Sequence, residues 1–456
     1  MSSFKVNALP SYNSSVIDDE HFSIPVFLSM IQQQSRILCL VASTYRLHVP
    51  WVLDQFKSIF AESVPVLILH GSRNLVVRYP LPPSLLIEEV VPHLPSVREK
   101  ILSRGIDPCG KDEEEDSEGD AKAIPGVHHA KYLMVFVEGG FWLAISSANL
   151  TPHSAVDGTW HHFFPITSSA QRSNPIPHPP RNDFGEVLED FLTHQTLQMR
   201  RNLRRFAEFS AIDWIRSFVG PVSLANSYDY SSAEVALVST VPGRFNFSDE
   251  GKSSSFDRCI VCAAEANTTQ FSKARYGLER MRVLIRGMEI KSSSPEERLY
   301  LQPTSIGAIT QAYMASILSH LMPERYWDAS HLGLLRQESY RLLWPSSKFM
   351  RGCGNHQSEE GSDSFEELGG LFLDPSSLAA MEPDIHSQMF IYRAITKYHG
   401  VSPHIKTYLR LLRRRPRDIV NDKRCSCASL LWCLLSSACL STGESIASIQ
   451  IINNSL

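Results

Sequence analysis

Apolar residues in this chain fall into short dense runs whose periods differ. Residues 36–44 (RILCLVAST) are nearly continuous and too short for a helix of their own, which predicts a buried strand. HVPWVLDQFKSIF, residues 48–60, has helical apolar spacing, and VPVLILHGS, 64–72, is a second buried strand. Strand, helix, strand implies a parallel pair with a crossover. LLIEEVVPHLPSVREKILSRG, 85–105, reads as helical. Two further runs, Tyr132–Val137 and Phe141–Ile145, flank Glu138-Gly139-Gly140 and predict a β-hairpin, with HHFFPI (161–166) as another strand. A Pro- and Ser-rich loop over 168–183 precedes two helical segments, the second spanning 198–218. GPVS near residue 220 marks a boundary. Beyond it lie a strand at 234–245, a strand and turn at 298–309, a helix at 310–322 and a strand at 341–346. MFIYRAITKYHG (389–400) reads as a helix closed by Gly400, and further strands start at 402 and 430. Each half alternates strands with helices, so each is expected to be a mixed sheet covered by helices on both faces.

Composition narrows the class. Hydrophobic content of 43% and charged content of 20% over 456 residues are ordinary for a globular protein with room for two domain-sized cores. Net charge is −4, so any affinity for nucleic acid must come from local patches. No apolar stretch is long enough to span a membrane, and no secretory signal is expected at the amino terminus. The nine cysteines are scattered. Cys39, Cys433 and Cys439 lie in apolar runs, and the Cys259/Cys262 and Cys425/Cys427 spacings read as core thiols rather than a zinc site. The acidic stretches 111–120 and 354–370 read as surface insertions, and residues 1–24 as a flexible arm.

Candidate chemistry concentrates at the hairpin. His129 and Lys131 form H-x-K at its start, and Asn149 follows its second strand. Residues two apart in a strand share a face, so the imidazole and ammonium look into one pocket, to which the hairpin returns Asn149. A neutral imidazole, a fixed cation and an amide aimed at one point suit an anionic phosphorus centre. The pattern recurs at His404 and Lys406, again before a strand, and SSANL (146–150) is echoed by SSACL (436–440). Two copies suggest two similar halves facing each other across one site. Arg200, Arg201, Arg204 and Arg205 open the 198–218 segment, either as a solvated helix face or as contacts to a phosphate backbone. The run Arg410–Arg417 reads as a loop beside a polyanion or a solvated turn, and as a weak nuclear-localisation candidate.

Together VPVLILHGS, VHHAKYLMVFVEGG, ISSANL, DGTW (157–160), STVPGRF (239–245), QPTSIGAI (302–309), LLWPS (342–346) and SPHIKTYLR (402–410) resemble the tyrosyl-DNA phosphodiesterase family of the phospholipase D superfamily, from about residue 25 to 442. The resemblance implies two phospholipase D-like halves, 25–220 and 221–456, meeting at a shared active-site cleft. It implies His129 as nucleophile through a covalent phosphohistidine, His404 as general acid and base, and Lys131, Lys406 and Asn149 around the phosphate. Thr304 and Ser305 become DNA-phosphate contacts. No metal or other cofactor is expected. The implied substrate is single-stranded or duplex DNA with a blocked 3′ end, such as a topoisomerase I tyrosyl adduct. A monomer acting in the nucleus is expected, with the cytoplasm or mitochondrion as further locations, and no membrane.

Three departures accompany the resemblance. Cys439 stands where the family has its second Asn, Asp157 stands where it has Gln, and the tail after Cys439 (STGESIASIQIINNSL) matches none of the family's closing segments, so the second half is expected to be truncated and its sheet to lack its last strands. A thiol cannot supply an amide's donor and acceptor together. The sequence therefore supports an active phosphodiesterase or a relative that binds DNA ends without efficient turnover. A lipid-directed enzyme of the same superfamily fits less well, because PGRF, HIKTY and Asn149 point to DNA.

Overall fold

The computed structural model describes residues 3–7, 21–72, 75, 80–90, 127–152, 155–167, 183–196, 211–233, 235–240, 277–287, 297–303, 311–322, 340–345, 389–392, 402–403, 406–413, 428–436 and 446–453. The first half holds β1 (Ser3–Asn7), β2 (His21–Phe22), β3 (Ile37–Thr44), β4 (Val66–His70), β5 (Leu85–Glu89), β6 (Val127–His128), β7 (Tyr132–Val137), β8 (Gly140–Ser146), β9 (Ala155–Val156) and β10 (Gly158–Pro165). Eight of these form one mixed sheet in the order β2-β1-β10-β8-β7-β3-β4-β5.

The sheet is buried on both faces, which is why its strands read as unbroken apolar runs. Alternate residues feed opposite cores. Val41, Tyr132, Met134 and Phe136 share one core with Phe191 of the 184–196 helix and Ile215 of the 211–219 helix. Leu40, Ala42, Leu133 and Val135 share the other with Leu28 of the 24–34 helix and Val52 of the 49–55 helix. The β7–β8 turn needs Gly140 at φ 158°, where an added Cβ would press into the Phe164 carbonyl oxygen.

The second half adds β11 (Ala236–Thr240), β12 (Glu297–Gln302), β13 (Tyr340–Pro345), β14 (Met389–Tyr392), β15 (Ser402–Pro403), β16 (Lys406–Arg413), β17 (Ala428–Ser436) and β18 (Ile446–Asn453). Its sheet runs β11-β18-β17-β16-β12-β13-β14. This matches β1-β10-β8-β7-β3-β4-β5 strand for strand, including the senses. The motif-bearing strand is antiparallel to its inner neighbour (β7 to β3, β16 to β12), and two parallel steps follow in each half. The repeated motif in the sequence thus reflects a repeated topology. Arg280, on the 277–287 helix, clasps Asp183 beside the 184–196 helix through Nη1 at 2.5 Å and Nη2 at 2.6 Å, tying the halves together.

Five expectations are corrected. Residues 85–89 are strand β5, not helix, because the backbone of β4 offers a parallel ladder (Val66↔Leu85 to His70↔Glu89) that outweighs a weak helical pattern. Met389–Tyr392 is likewise β14, paired with β13 rather than opening a helix. Part of the expected flexible arm is built into the first sheet, since Ser3–Val6 pair with Gly158–His161 of β10. Arg410 is no solvated residue: it is fully buried on β16 and bonded to buried Glu297, 2.5 Å from Nη2 to Oε2. Finally, the tail without family resemblance supplies β18, which lies between β11 and β17 and is the counterpart of β10.

Candidate active site

Two short strands carry the site, and each reaches into the other half. β6 ends one residue before His129 and pairs in parallel with the start of β18 (Val127↔Ile446, His128↔Ala447). β15 ends one residue before His404 and pairs in parallel with β9, which leads into β10 (Ser402↔Ala155, Pro403↔Val156). Since β18 and β10 are topological counterparts, the two contacts are reciprocal. They tie the residues that lead into each H-x-K motif to the opposite half. A ladder needs only backbone groups, so this arrangement tolerates the unrelated side chains of the two halves.

Around His129 the geometry is compact. Lys131 is almost fully buried, and its Nζ lies 2.9 Å from His129 Nδ1 and 3.2 Å from His129 O. With the ammonium charged, Nδ1 accepts, and the neutral ring carries its proton on Nε2. The ring rests on Tyr45, with centroids 4.9 Å apart and a tilt of 32°. Tyr45 lies just past β3, at the carboxyl end of a parallel strand where ligands of open α/β sheets gather. Asn149 Oδ1 accepts the backbone N–H of Arg46 at 3.2 Å. That bond sets the amide's orientation, with the Nδ2 donors on the other side. Thr44 holds the same turn: its Oγ1 accepts Leu150 N at 2.9 Å and donates to Arg46 O at 2.7 Å. His129 and Asn149 are thus held by the sequence Thr44-Tyr45-Arg46, and Lys131 by His129.

Beneath His129 lies a second histidine. His128 is 1% exposed, and its Nε2 is 2.8 Å from Ser43 Oγ. Ser43 Oγ donates its only proton to Ala130 O at 3.0 Å, so it accepts from His128 Nε2–H. Burial, with the nearby Lys131 ammonium and His70, pushes His128 down to about 3, so the ring is neutral. Its Nδ1 lone pair is buried with no hydrogen-bond partner among the described residues, a situation costing about 1–3 kcal/mol.

Asp157 follows β9 and is 3% exposed; its Oδ1 accepts from Ser147 Oγ at 2.6 Å, and Ser147 Oγ accepts Gly158 N at 3.1 Å. The Asp157 carboxylate is therefore bonded to the end of the hairpin.

The structure pairs Lys131 with His129, bonds Asn149 to the Thr44–Arg46 turn and places Lys406 at the first position of β16. His404, Thr304, Ser305, Cys439, Arg204 and Arg205 lie outside the described residues, as do Cys259, Cys262, Cys425, Cys427 and the insertions 111–120 and 354–370. Among the described residues, no group of three or more His, Cys, Asp or Glu is arranged to hold a metal ion, and no helix is long and apolar enough to cross a membrane. Sequence reasoning passed over Ser43, Thr44, Tyr45, Arg46 and His128. A signal existed for four of them: STYR is a polar cluster directly after an apolar strand, where a site at a sheet's carboxyl edge draws its residues.

Two mixed α/β halves of matching topology, joined by the reciprocal β6–β18 and β9–β15 pairings, define a phospholipase D-like fold. Within that class the chain belongs to the tyrosyl-DNA phosphodiesterase family, whose model matches residues 23–443. No curated protein gives a significant match. Among solved structures, the polyphosphate kinase of Porphyromonas gingivalis is similar over 100% of this chain and 48% of its own, at 10% identity and a TM-score of 0.37. NucT from Helicobacter pylori is similar over 35% of this chain and 85% of its own, at 11% identity and a TM-score of 0.22. The chain spans about half the length of the kinase.

Proposed function

We propose that this protein hydrolyses blocked DNA 3′ ends, with a 3′-phosphotyrosyl end as the reference substrate, through a phosphohistidine on His129. The observation that carries the reading is the Lys131 ammonium held 2.9 Å from His129 Nδ1. A phosphodiester oxygen entering the cleft competes for that ammonium. When Lys131 turns to the phosphate, it frees the imidazole lone pair and neutralises the oxygens that would repel it. His129 then attacks phosphorus. The N–P bond forms as the bond to the tyrosine oxygen breaks, and His404 gives that oxygen its proton. In the second step His404 takes a proton from water. The water oxygen bonds to phosphorus, the N–P bond breaks, and a 3′-phosphate leaves. A phenol, with a pKa of about 10, departs more readily than a sugar hydroxyl. Asn149, through Nδ2, and Lys406 hold the non-bridging oxygens; Thr304, Ser305, Arg204 and Arg205 contact neighbouring phosphates. A monomer working in the nucleus goes with this reading and rests on the resemblance.

Cys439 favours a second reading, a family member that binds DNA ends without efficient turnover. One assay separates the two. A single-stranded oligonucleotide bearing a 3′-phosphotyrosine is incubated with the protein in EDTA. Conversion to the 3′-phosphate supports the enzyme, whereas binding without conversion supports the second reading. His129→Ala is expected to abolish turnover, and His404→Ala to accumulate a covalent protein–DNA species. Wild-type rates in the double variant would rule out the two-histidine mechanism.

A further inference from the structure

We infer that His128 is a positioning residue for the nucleophile, clamped through its side chain by Ser43 of the first sheet and through its backbone by Ala447 of the second. The inference rests on the reading of His129 above.

Residues 128–130 follow the alternation of an extended chain. His128 and Ala130 are 1% and 0% exposed and face inward, whereas His129 is half-buried at the cleft. Regular pairing of β7 with β3 stops at Ser43↔Tyr132, three residues past His129. Ser43 bridges that gap with one oxygen. Its proton goes to Ala130 O and its lone pair to His128 Nε2–H, at 3.0 and 2.8 Å. The residues on either side of His129 are thereby fixed to the same atom, and the His129 side chain must leave on the opposite side, toward Tyr45 and Lys131. The other clamp is the parallel pairing of His128 with Ala447. Gly71 completes the seat, since a Cβ there would press into the His128 carbonyl oxygen.

The orphaned Nδ1 supports a positional role. An apolar side chain would fill this buried site without stranding a lone pair, yet an imidazole occupies it. What the imidazole adds is a rigid donor that reaches Ser43. The proposed mechanism uses His129 in both chemical steps but demands its exact aim only in the first. Loss of the clamp should therefore slow formation of the covalent species more than its breakdown, which depends on His404 and water.

The test is single-turnover kinetics on the full-length protein with the 3′-phosphotyrosyl oligonucleotide, quenching to count the covalent species. Ser43→Ala and His128→Leu are expected to slow adduct formation about 10- to 100-fold, with KM and the rate of adduct hydrolysis within about threefold of wild type. His128→Gln, whose Nε2 can still donate to Ser43, is expected to recover most of the loss. Formation at the wild-type rate in Ser43→Ala and His128→Leu would overturn the inference, as would equal slowing of both steps. Should His128→Leu not fold, Ser43→Ala alone decides between these outcomes. Absence of any adduct or product with the wild-type protein would instead refute the parent reading, so the two failures are distinct.

Discussion

The buried pair Arg410–Glu297 allows a sharp prediction. Both side chains are 0% exposed, and Arg410 contacts Glu297 Oε2 through Nη2 at 2.5 Å and Nε at 3.2 Å. The register sets Arg410 opposite Leu299 and Glu297 opposite Leu412, so the two are diagonal neighbours on one face of the β12–β16 ladder. Replacing Arg410 with Met strands a carboxylate in the core, and replacing Glu297 with Leu strands a guanidinium. Breaking a buried pair from one side costs about 3–5 kcal/mol, whereas replacing both partners with apolar residues is about neutral or stabilising. At about 2–4 °C per kcal/mol for a unit of 150–250 residues, each single variant should melt roughly 6–20 °C below wild type. The double variant Arg410→Met/Glu297→Leu should lie near wild type. The first half supplies a natural precedent: Val135 stands four residues after Lys131, as Arg410 stands four after Lys406 (135 − 131 = 410 − 406 = 4), and Val135 belongs to a wholly apolar core. The assay is thermal or urea unfolding of the four proteins, with the coupling energy taken from the double-mutant cycle. If either single variant lost less than about 1 kcal/mol, the groups would be solvated and the reasoning refuted. A double variant as unstable as the sum of the singles would refute it too.

Other expectations can be checked alongside. His128, His161 and His162 are held near 3, 4 and 4, chiefly by burial, and so stay neutral when folded. The unfolded rings bind protons near pH 6.5, so their contribution is fully present above that pH and is lost as pH falls toward 4; at pH 5 each removes about 2 kcal/mol. A urea midpoint unchanged between pH 7.5 and 5 would show that the rings are not held neutral. Gly71→Ala drives a methyl into the His128 carbonyl and should lower turnover about tenfold or more by displacing the segment that carries His129, as steady-state kinetics would show. Asn149→Asp keeps the acceptor for Arg46 N but trades the Nδ2 donors for charge, so KM for the oligonucleotide should rise about 10-fold, more at low salt.

Much of the fold could be read locally. The hairpin 132–145, the parallel strands at 37–44 and 66–70 and the duplicated motif all lie in runs whose period and turn residues agree. What escaped was set by distant partners. LLIEE and MFIY suit helix or strand equally over so few residues, and only β4 and β13 decide the matter. Arg410 looks solvated within its basic run because Glu297, 113 residues away, is not visible from there. IASIQIIN has the β-branched content of a strand, but its ladder partners lie near residue 127, near 236–240 and on β17. At the site the H-x-K spacing pointed to His129 and Lys131. The residues that aim them, Ser43, Tyr45 and His128, were hidden because their contacts join strands some 85 residues apart.

The reciprocal pairing of β6 with β18 and of β9 with β15 makes the two halves structurally interdependent. Each half lends the other the strand on which the short approach to its H-x-K motif pairs, much as two hands clasp by the wrists. A polypeptide ending near residue 220 would keep His129 but lose the neighbour of His128, and the remaining polypeptide would keep Lys406 but lose the neighbour of Pro403. Mixed together at low concentration, the two fragments could rebuild both pairings, so the reassembled fold should form with the square of fragment concentration, as a dimer does.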